Sequence, residues 1–259
     1  MRFDVMVTAA LASLTAVAAS AHDGRRFEIK VVDDQLVAHG YHSAGIDDGA
    51  GVQRDYYNAL HAHWTNNTVG SGATATLPGF DILGEAPGLA GYDVDYTLTG
   101  AKKWVVTPPA SGHMGHGTHG GHDPGHPEIH LMPLDGELLG LSYGLTGQDV
   151  TTDSPGTIDL VTGWDGVVGS GNGYDLDFLY QIAVAPTDTI FVLEGVLSTD
   201  APGIAASETV YTILSPTGHS FHANSLALEA YLGTPIPEPM TVSLAALVGV
   251  GWLVRRRAA

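Results

Sequence analysis

The stretch "YDLDFLYQIAVA" at residues 174–185 decides the fold class. Its apolar and polar residues alternate, and alternating side chains lie on opposite faces of an extended strand. One face carries Leu176, Phe178, Tyr180, Ile182 and Val184. The other carries Asp175, Asp177 and Gln181. The pattern therefore predicts a β-strand with one face in a hydrophobic core and one towards water.

The same alternation recurs on both sides of this stretch. It is found in "FEIKVV" at 27–32 and "YDVDYTLTG" at 92–100, whereas "TIFVLEGVLS" at 189–198 and "ETVYTIL" at 208–214 are apolar on both faces in places, as central strands are. Gly- and Pro-containing turns separate the strands, at residues 134–137, 170–173, 185–188, 201–203 and 215–218. Many short strands with such turns predict an all-β domain, an antiparallel β-sandwich of jelly-roll-like type.

One short segment is compatible with a helix. "NSLALEAYL" at 224–232 has helical spacing, with Asn224 as a candidate N-cap, but the same residues also alternate well enough for a strand. We predict one domain from residue 22 to 234.

The N-terminal residues are typical of a secretory signal peptide. An early Arg2 precedes an apolar run, and Ala19-Ser20-Ala21 fits the small-residue cleavage pattern. We predict a signal peptide over residues 1–21 and a mature chain that begins at His22.

The C-terminal residues combine a rigid break, an apolar run and a basic end. Pro237-Glu238-Pro239 is followed by an apolar segment at 240–254, a candidate single transmembrane helix, and by Arg255, Arg256 and Arg257. This arrangement over residues 235–259 resembles the PEP-CTERM sorting signal of bacteria.

The PEP-CTERM resemblance implies export across the inner membrane of a Gram-negative-type bacterium. It implies an exosortase-type sorting enzyme as a partner, anchoring through the C-terminal helix, and removal of the tail near Pro-Glu-Pro. It also implies a cell-surface or extracellular location, with extracellular polysaccharide or biofilm matrix as a partner.

Composition limits the chemistry of the chain. The formal net charge is −18 with histidine neutral, so the surface repels nucleic acid and anionic lipid. There is no cysteine, which excludes thiolate catalysis, iron–sulfur clusters and cysteine-type copper sites. The nucleophile motifs S-x-x-K and H-E-x-x-H are absent.

The first candidate metal site is the pair His61 and His63 in "NALHAHW" at 58–64. In a strand, residues two apart share a face, so both imidazoles project together as a bidentate platform for Zn²⁺ or Cu²⁺. Such a site needs a further ligand. The candidates lie near predicted strand ends in two other segments: His39, His42, His219 and His222.

The second candidate is a His-rich loop over residues 107–128, between strands predicted to end near Val106 and begin near Ile129. Its glycines and prolines exclude a stable helix, and flexibility would weaken metal binding. The histidines of "GHMGHGTHGGHDPGHPEIH" at 112–130 are His113, His116, His119, His122, His126 and His130. His130 alternates with its neighbours in a predicted strand rather than in the loop.

Two weaker candidates complete the set. His22, as the mature N-terminus, resembles the first residue of a histidine brace for copper. Ca²⁺, which favours oxygen donors, is a further candidate cofactor at four carboxylate pairs. The alternative interpretation of these pairs is that they lie on solvated strand faces and turns. These pairs are Asp33-Asp34, Asp47-Asp48, Asp93/Asp95 and Asp175/Asp177.

The sequence therefore favours an exported, non-catalytic protein of the cell surface or matrix that binds zinc or copper through histidines. The alternatives are a secreted copper enzyme, a glycan-active β-sandwich protein, and a purely structural matrix protein.

Overall fold

The structure is a computed structural model of the chain. It describes residues 25–42, 58–66, 72–75, 78–84, 86–106, 128–134, 142–143, 150–152 and 154–233. This part of the chain consists mostly of β-strands, with one α-helix, α1 (His219–Leu232), and one short 3₁₀ turn, Gly171–Gly173. The strands are β1 (Arg25–Val32), β2 (Gln35–His42), β3 (Ala59–His63), β4 (Thr65–Asn66), β5 (Ala73–Ala75), β6 (Gly79–Asp81), β7 (Val94–Val105), β8 (Met132–Pro133), β9 (Ser142–Tyr143), β10 (Val150–Thr151), β11 (Thr157–Val161), β12 (Tyr180–Ile182), β13 (Thr189–Thr199) and β14 (Val210–Ser215).

The strands form three sheets. The largest has the order β11-β7-β13-β14-β3, with β8 also paired to β7. The others have the orders β2-β1-β6 and β10-β9-β12-β5-β4. β6 runs parallel to β1, and β3 runs parallel to β14, whereas the other pairs are antiparallel.

The all-β prediction is confirmed, and two parallel strand pairs depart from the predicted antiparallel arrangement. Two parallel pairs make two of the three sheets mixed. Alternation reports which face of a strand is buried and carries no information about the direction of its neighbour, so the sequence pattern could not reveal these pairs.

Aromatic rings fill the centre of the main core. Phe80 packs on Phe27, with ring centroids 5.3 Å apart, and on Phe178 at the same distance. Tyr96 lies 5.5 Å from Phe178, and Phe178 lies 5.8 Å from Tyr180. The first of these pairs is stacked and the others are edge-on, and such pairs add to the free energy gained by burying their area. Strands from all three sheets thereby share one core.

The pattern of residues 174–185 is largely confirmed. Leu176, Phe178, Tyr180 and Ile182 are buried, as the alternation predicts. Val184 is 68% exposed, so its predicted place in the core is wrong. Strand β12 ends at Ile182, and the chain bends before Pro186, which turns Val184 out of the register of the strand.

Helix α1 packs against one face of the largest sheet. Leu228 of the helix lies in a second, smaller apolar cluster with Trp104 of β7, Ile190 and Val192 of β13, and Ile213 of β14. The helix also contacts β3, which lies beside β14 at the end of the strand order. α1 therefore sits above β14 and β3.

The helical interpretation of residues 224–232 is confirmed, and the strand alternative is wrong. The helix begins earlier than predicted, because Gly218 rather than Asn224 precedes it. Gly218 has φ 136° and ψ 152°, a conformation that only glycine adopts readily. "GHSFH" at 218–222 consequently lies in the first turn of a helix and not at a strand end.

No helix in the described ranges is long and apolar enough to span a membrane. The predicted signal peptide at 1–21 and sorting tail at 235–259 lie outside those ranges, as do His22 and residues 107–127 of the predicted loop.

Candidate metal centre

Strand β3 presents two imidazoles on one face at the border of the largest sheet. His61 and His63 are two residues apart in an extended strand, so their side chains project in the same direction. Their ring centroids lie 5.2 Å apart. His61 is buried, with 5% of its surface exposed, and His63 is half-buried.

Helix α1 adds a third imidazole. Because β14 runs parallel to β3 and α1 follows β14 after a tight turn, the first turn of the helix passes over the end of β3. His222 Nδ1 lies 3.1 Å from His61 Nε2 and 3.4 Å from His63 Nε2. One ring nitrogen from each of the three residues lies within 4.8 Å of those of the other two.

These separations match those of nitrogen ligands around one metal ion. With Zn–N bonds of about 2.05 Å, two ligands of a tetrahedron are about 3.3 Å apart. Neighbouring ligands of a square-planar copper site are about 2.9 Å apart. The distances of 3.1 and 3.4 Å between the ring nitrogens lie within or close to this range.

The far nitrogen of His61 contacts a buried carboxylate. Glu229, two helical turns after His222, places Oε1 2.7 Å from His61 Nδ1 and 2.7 Å from the backbone nitrogen of His61. An ionised carboxylate only accepts hydrogen bonds, so Nδ1 donates to Glu229 when it carries the proton of the neutral ring. The lone pair of His61 is then on Nε2, the atom that faces His222.

Arg25 of β1 compensates the charge of Glu229. Its Nη1 donates to Glu229 Oε1 and lies 2.6 Å from His61 Nδ1, to which it donates only when the ring proton is on Nε2 instead. Glu229 is 1% exposed, and a buried carboxylate needs such a partner. Burial raises the pKa of Glu229, but the hydrogen bond from His61 and the nearby Arg25 outweigh burial and lower it overall. Glu229 is therefore ionised at neutral pH.

The far nitrogen of His63 is also held by acceptors. Nδ1 lies 3.1 Å from the carbonyl oxygen of Pro216 and 2.8 Å from Ser215 Oγ. A carbonyl oxygen cannot donate, so Nδ1–H donates and the lone pair again lies on Nε2. The hydroxyl of Ser215 donates to the carbonyl oxygen of Ala62, 3.5 Å away, which leaves its oxygen free to accept.

Burial keeps both strand histidines neutral at neutral pH. It lowers the pKa of His61 to about 4, although the hydrogen bond to Glu229 opposes this shift. Burial likewise lowers the pKa of His63, against the hydrogen bond to Pro216. A histidine must be neutral to bind a metal, so both rings are in the ligating form.

Within the described residues, no other predicted histidine ligand joins this group. His39 Nδ1 lies 3.1 Å from Lys30 Nζ on the β1–β2 hairpin, and His219, the first residue of α1, is exposed. His130 is exposed and lies 3.2 Å from Glu128; the strand predicted there is wrong, because β8 begins only at Met132. His42 is the last residue of β2. The remaining predicted ligands lie outside the described residues: His22, His113, His116, His119, His122 and His126.

The carboxylate pairs have other roles where the structure describes them. Asp33 and Asp34 both have positive φ and form the tight turn between β1 and β2. Asp175 and Asp177 contact Arg26, at 3.3 and 2.5 Å.

The remaining pairs do not form a calcium site within the described ranges. The backbone nitrogen of Gly163 donates to Asp93 Oδ1, and Asp95 lies on β7. Nearby carboxylates and, above all, burial raise the pKa of Asp95. Asp47 and Asp48 lie outside the described residues.

Sequence reasoning missed Glu229 and Arg25. A signal for Glu229 was present: on a helix that includes residue 222, positions 222, 225 and 229 share one face. Glu229 lies two turns after His222, on the side of the helix that also carries Leu228. A carboxylate in that position indicates a buried charge that needs a partner. Nothing in the local sequence of Arg25 reveals its role.

Comparisons with protein-family models, curated proteins and solved structures found no match to the chain. The function proposed below therefore rests on the residues of the site and on the sequence.

Proposed function

We propose that this protein is an exported, non-catalytic protein of the bacterial cell surface or matrix that binds one zinc or copper ion through His61, His63 and His222. The observation that supports metal binding is the convergence of three ring nitrogens, together with an acceptor beside the far nitrogen of each strand histidine: Glu229 for His61 and the carbonyl oxygen of Pro216 for His63.

Hydrogen bonds among the three imidazoles satisfy their ring nitrogens less well than a bound metal ion would. The lone pairs of His61 Nε2 and His63 Nε2 both face His222 Nδ1, at 3.1 and 3.4 Å. A single Nδ1–H of His222 donates well to only one of them. A metal ion accepts an electron pair from all three rings at once. The second partner of each strand histidine, a carboxylate or a backbone carbonyl, is also the usual one at metal-binding histidines.

Three imidazole donors favour zinc or copper over calcium, which prefers oxygen ligands. For an exported chain without cysteine, imidazole is the natural donor for these borderline metals.

The location and partners rest on the two ends of the sequence. The signal peptide at 1–21 and the PEP-CTERM-like tail at 235–259 support export, transient anchoring through residues 240–254, and processing by an exosortase-type enzyme. Extracellular polysaccharide is the proposed partner at the final location. A jelly-roll-like sandwich remains the proposed finer architecture of the β-rich body.

Metal analysis of the full chain, purified without an affinity tag, tests the site. We expect one zinc or copper per chain to survive dialysis, and His61→Ala, His63→Ala and His222→Ala each to lose it. His219→Ala is the matched control, because His219 is exposed and three residues from His222.

A second control separates this site from the His-rich segment. Replacement of the five histidines between residues 113 and 126 by alanine should leave the tightly held metal in place. A protein without bound metal, or one that loses its metal only in this second control, would contradict the proposal.

Glu229→Gln tests the role of the buried carboxylate. Glutamine cannot hold the proton on His61 Nδ1 as strongly, so metal affinity should fall by about 10- to 100-fold. The measurement is a competition titration with a chelator, accompanied by a thermal unfolding curve to verify the fold. Glu208→Gln, at an exposed glutamate, should leave the affinity unchanged. Equal affinities in the two variants would exclude a positioning role for Glu229.

A further inference from the structure

The three histidines leave the coordination of the metal incomplete. Within the described ranges, no other histidine, aspartate or glutamate joins their group. Glu229 is not a member, because its Oε1 contacts Nδ1 of His61, on the side of the ring opposite Nε2. A zinc ion with three protein ligands retains a fourth position for a ligand from outside.

The surroundings leave the charge of the metal largely uncompensated. All three ligands are neutral donors when they bind a metal. The buried carboxylate beside His61, that of Glu229, is paired with Arg25, so the two together contribute no net charge. A divalent ion in this site therefore keeps about two positive charges and attracts an anionic fourth ligand.

Two of the three histidines are partly exposed, and the adjacent helix end favours negative charge beside them. His61 is buried, but His63 and His222 are half-buried and reach solvent. His222 lies in the first turn of a 14-residue helix that has no acidic residue in that turn and no side-chain cap. The free backbone N–H groups of a helix start carry partial positive charge.

We propose that the metal bound by His61, His63 and His222 carries an exchangeable fourth ligand from solution, water or a small monodentate anion such as hydroxide. This inference rests on the proposed function, because it requires the metal to be bound.

Azide titration of the cobalt-loaded full chain tests the inference. Co²⁺ replaces zinc with the same ligands and has visible absorption bands that depend on its coordination. We expect a saturable shift of these bands with one azide bound per cobalt. His219→Ala, and the variant with the five histidines between 113 and 126 replaced by alanine, should shift in the same way as the unmodified chain.

The outcomes distinguish this inference from the function on which it rests. If one cobalt binds per chain but azide shifts the bands only in one of the two histidine variants, the chain supplies its own fourth ligand and the inference is overturned. If azide shifts the bands in none of the proteins, the fourth position is closed and the inference is again overturned. If cobalt does not bind at one per chain, or binds equally to His61→Ala, the proposed metal site itself fails.

Discussion

His61 is a residue whose protonation is opposed by its own environment. It is enclosed by Glu229 and Arg25 on one side and by His63 and His222 on the other. The carboxylate favours a protonated ring, whereas burial, Arg25 and His63 disfavour it. Burial is the largest of these effects, so the ring stays neutral in the folded protein down to about pH 4.

We therefore expect the stability of the metal-free protein to fall as the pH is lowered from 6.5 to 4. Below pH 6.5 the unfolded chain binds a proton at His61, whereas the folded protein does not until about pH 4. Acid therefore favours unfolding. The loss from this residue is at most about 3 kcal/mol, since each unit of pKa difference corresponds to about 1.4 kcal/mol. Chemical denaturation at a series of pH values measures it.

The matched variants for this pH dependence are His61→Asn and His130→Asn. Asparagine at 61 can donate to Glu229 but does not titrate, so the slope of stability against pH should become shallower in this range. His130 is exposed, and its replacement should leave the slope unchanged. An unchanged slope in His61→Asn would contradict the assignment.

At the scale of single residues, the sequence predicted His61 and His63 as a pair. It gave His222 as one of several candidates for the third ligand. The H-x-H spacing was sufficient because a strand projects alternate residues on one face. The choice of His222 over His219, His39 and His42 depends on the path of the chain between β14 and α1, which local spacing does not report.

Helix α1 brings both a ligand and its supporting carboxylate to the site. His222 and Glu229 are seven residues apart, about two turns, so they share one face of the helix. This face is held over β3 by Leu228, which is buried among residues of β7, β13 and β14. The start and rotation of the helix thus set the position of the ligand.

We expect Gly218→Ala to destabilise the protein and weaken metal binding together. The φ of 136° at Gly218 is strained for any residue with a Cβ, at a cost of about 1–3 kcal/mol, and relief of the strain would move the helix start. Denaturant unfolding gives the free energy, and a chelator competition gives the metal affinity.

Gly156→Ala is the control for this helix variant. A Cβ there would meet Val150 at an ordinary contact distance of 3.7 Å, and its backbone has no positive φ. The two variants should differ clearly in both measurements. Similar free energies of unfolding would show that the turn before α1 tolerates a side chain.

The strands and the helix were predictable where the apolar residues recur along the sequence with a clear period. β1, β7 and β13 follow the alternation or apolar runs of their sequences, and α1 follows helical spacing. The error at Val184 arose because alternation continues past the end of β12, where a bend rather than a strand follows. Short strands such as β4, β8 and β9 have two residues each, too few for a period to appear.

On the scale of the whole molecule, a buried ion cluster joins the sheet β2-β1-β6 to the segment before β12. Arg26 of β1 is 2% exposed and Asp81 of β6 is 1% exposed. Arg26 Nε donates to Asp81 Oδ2 at 2.5 Å, Nη1 donates to Asp177, and Tyr41 of β2 also donates to Asp81. The cluster fixes β1, β2, β6 and residues 175–177 in one arrangement.

Arg26→Met should destabilise the protein by about 3–5 kcal/mol, because it leaves the buried carboxylate of Asp81 without its cation. The control is Lys30→Met on the same strand, where the ion pair with Glu28 is partly exposed and should contribute no more than about 1 kcal/mol. Denaturant unfolding of both variants makes the comparison. A small, equal loss in both would mean that methionine packs in place of the cluster without cost.

The tertiary arrangement was the least predictable feature. The pairing of β3 with β14 and of β1 with β6 joins segments far apart in the chain, and no local pattern specifies such a pair. Arg25 illustrates the limit, because its partner Glu229 is 204 residues away.

The parallel pairing of β3 with β14 also has a consequence for how the chain reaches its native state. His61 and His222 are separated by 161 residues, so the three rings meet only after almost the entire body has been synthesised and joined. Contacts of such high contact order form late in folding, because loop closure must precede them. An incomplete chain lacks part of the ligand set. Tight metal binding would thus indicate that the N-terminal and C-terminal parts of the body have come together.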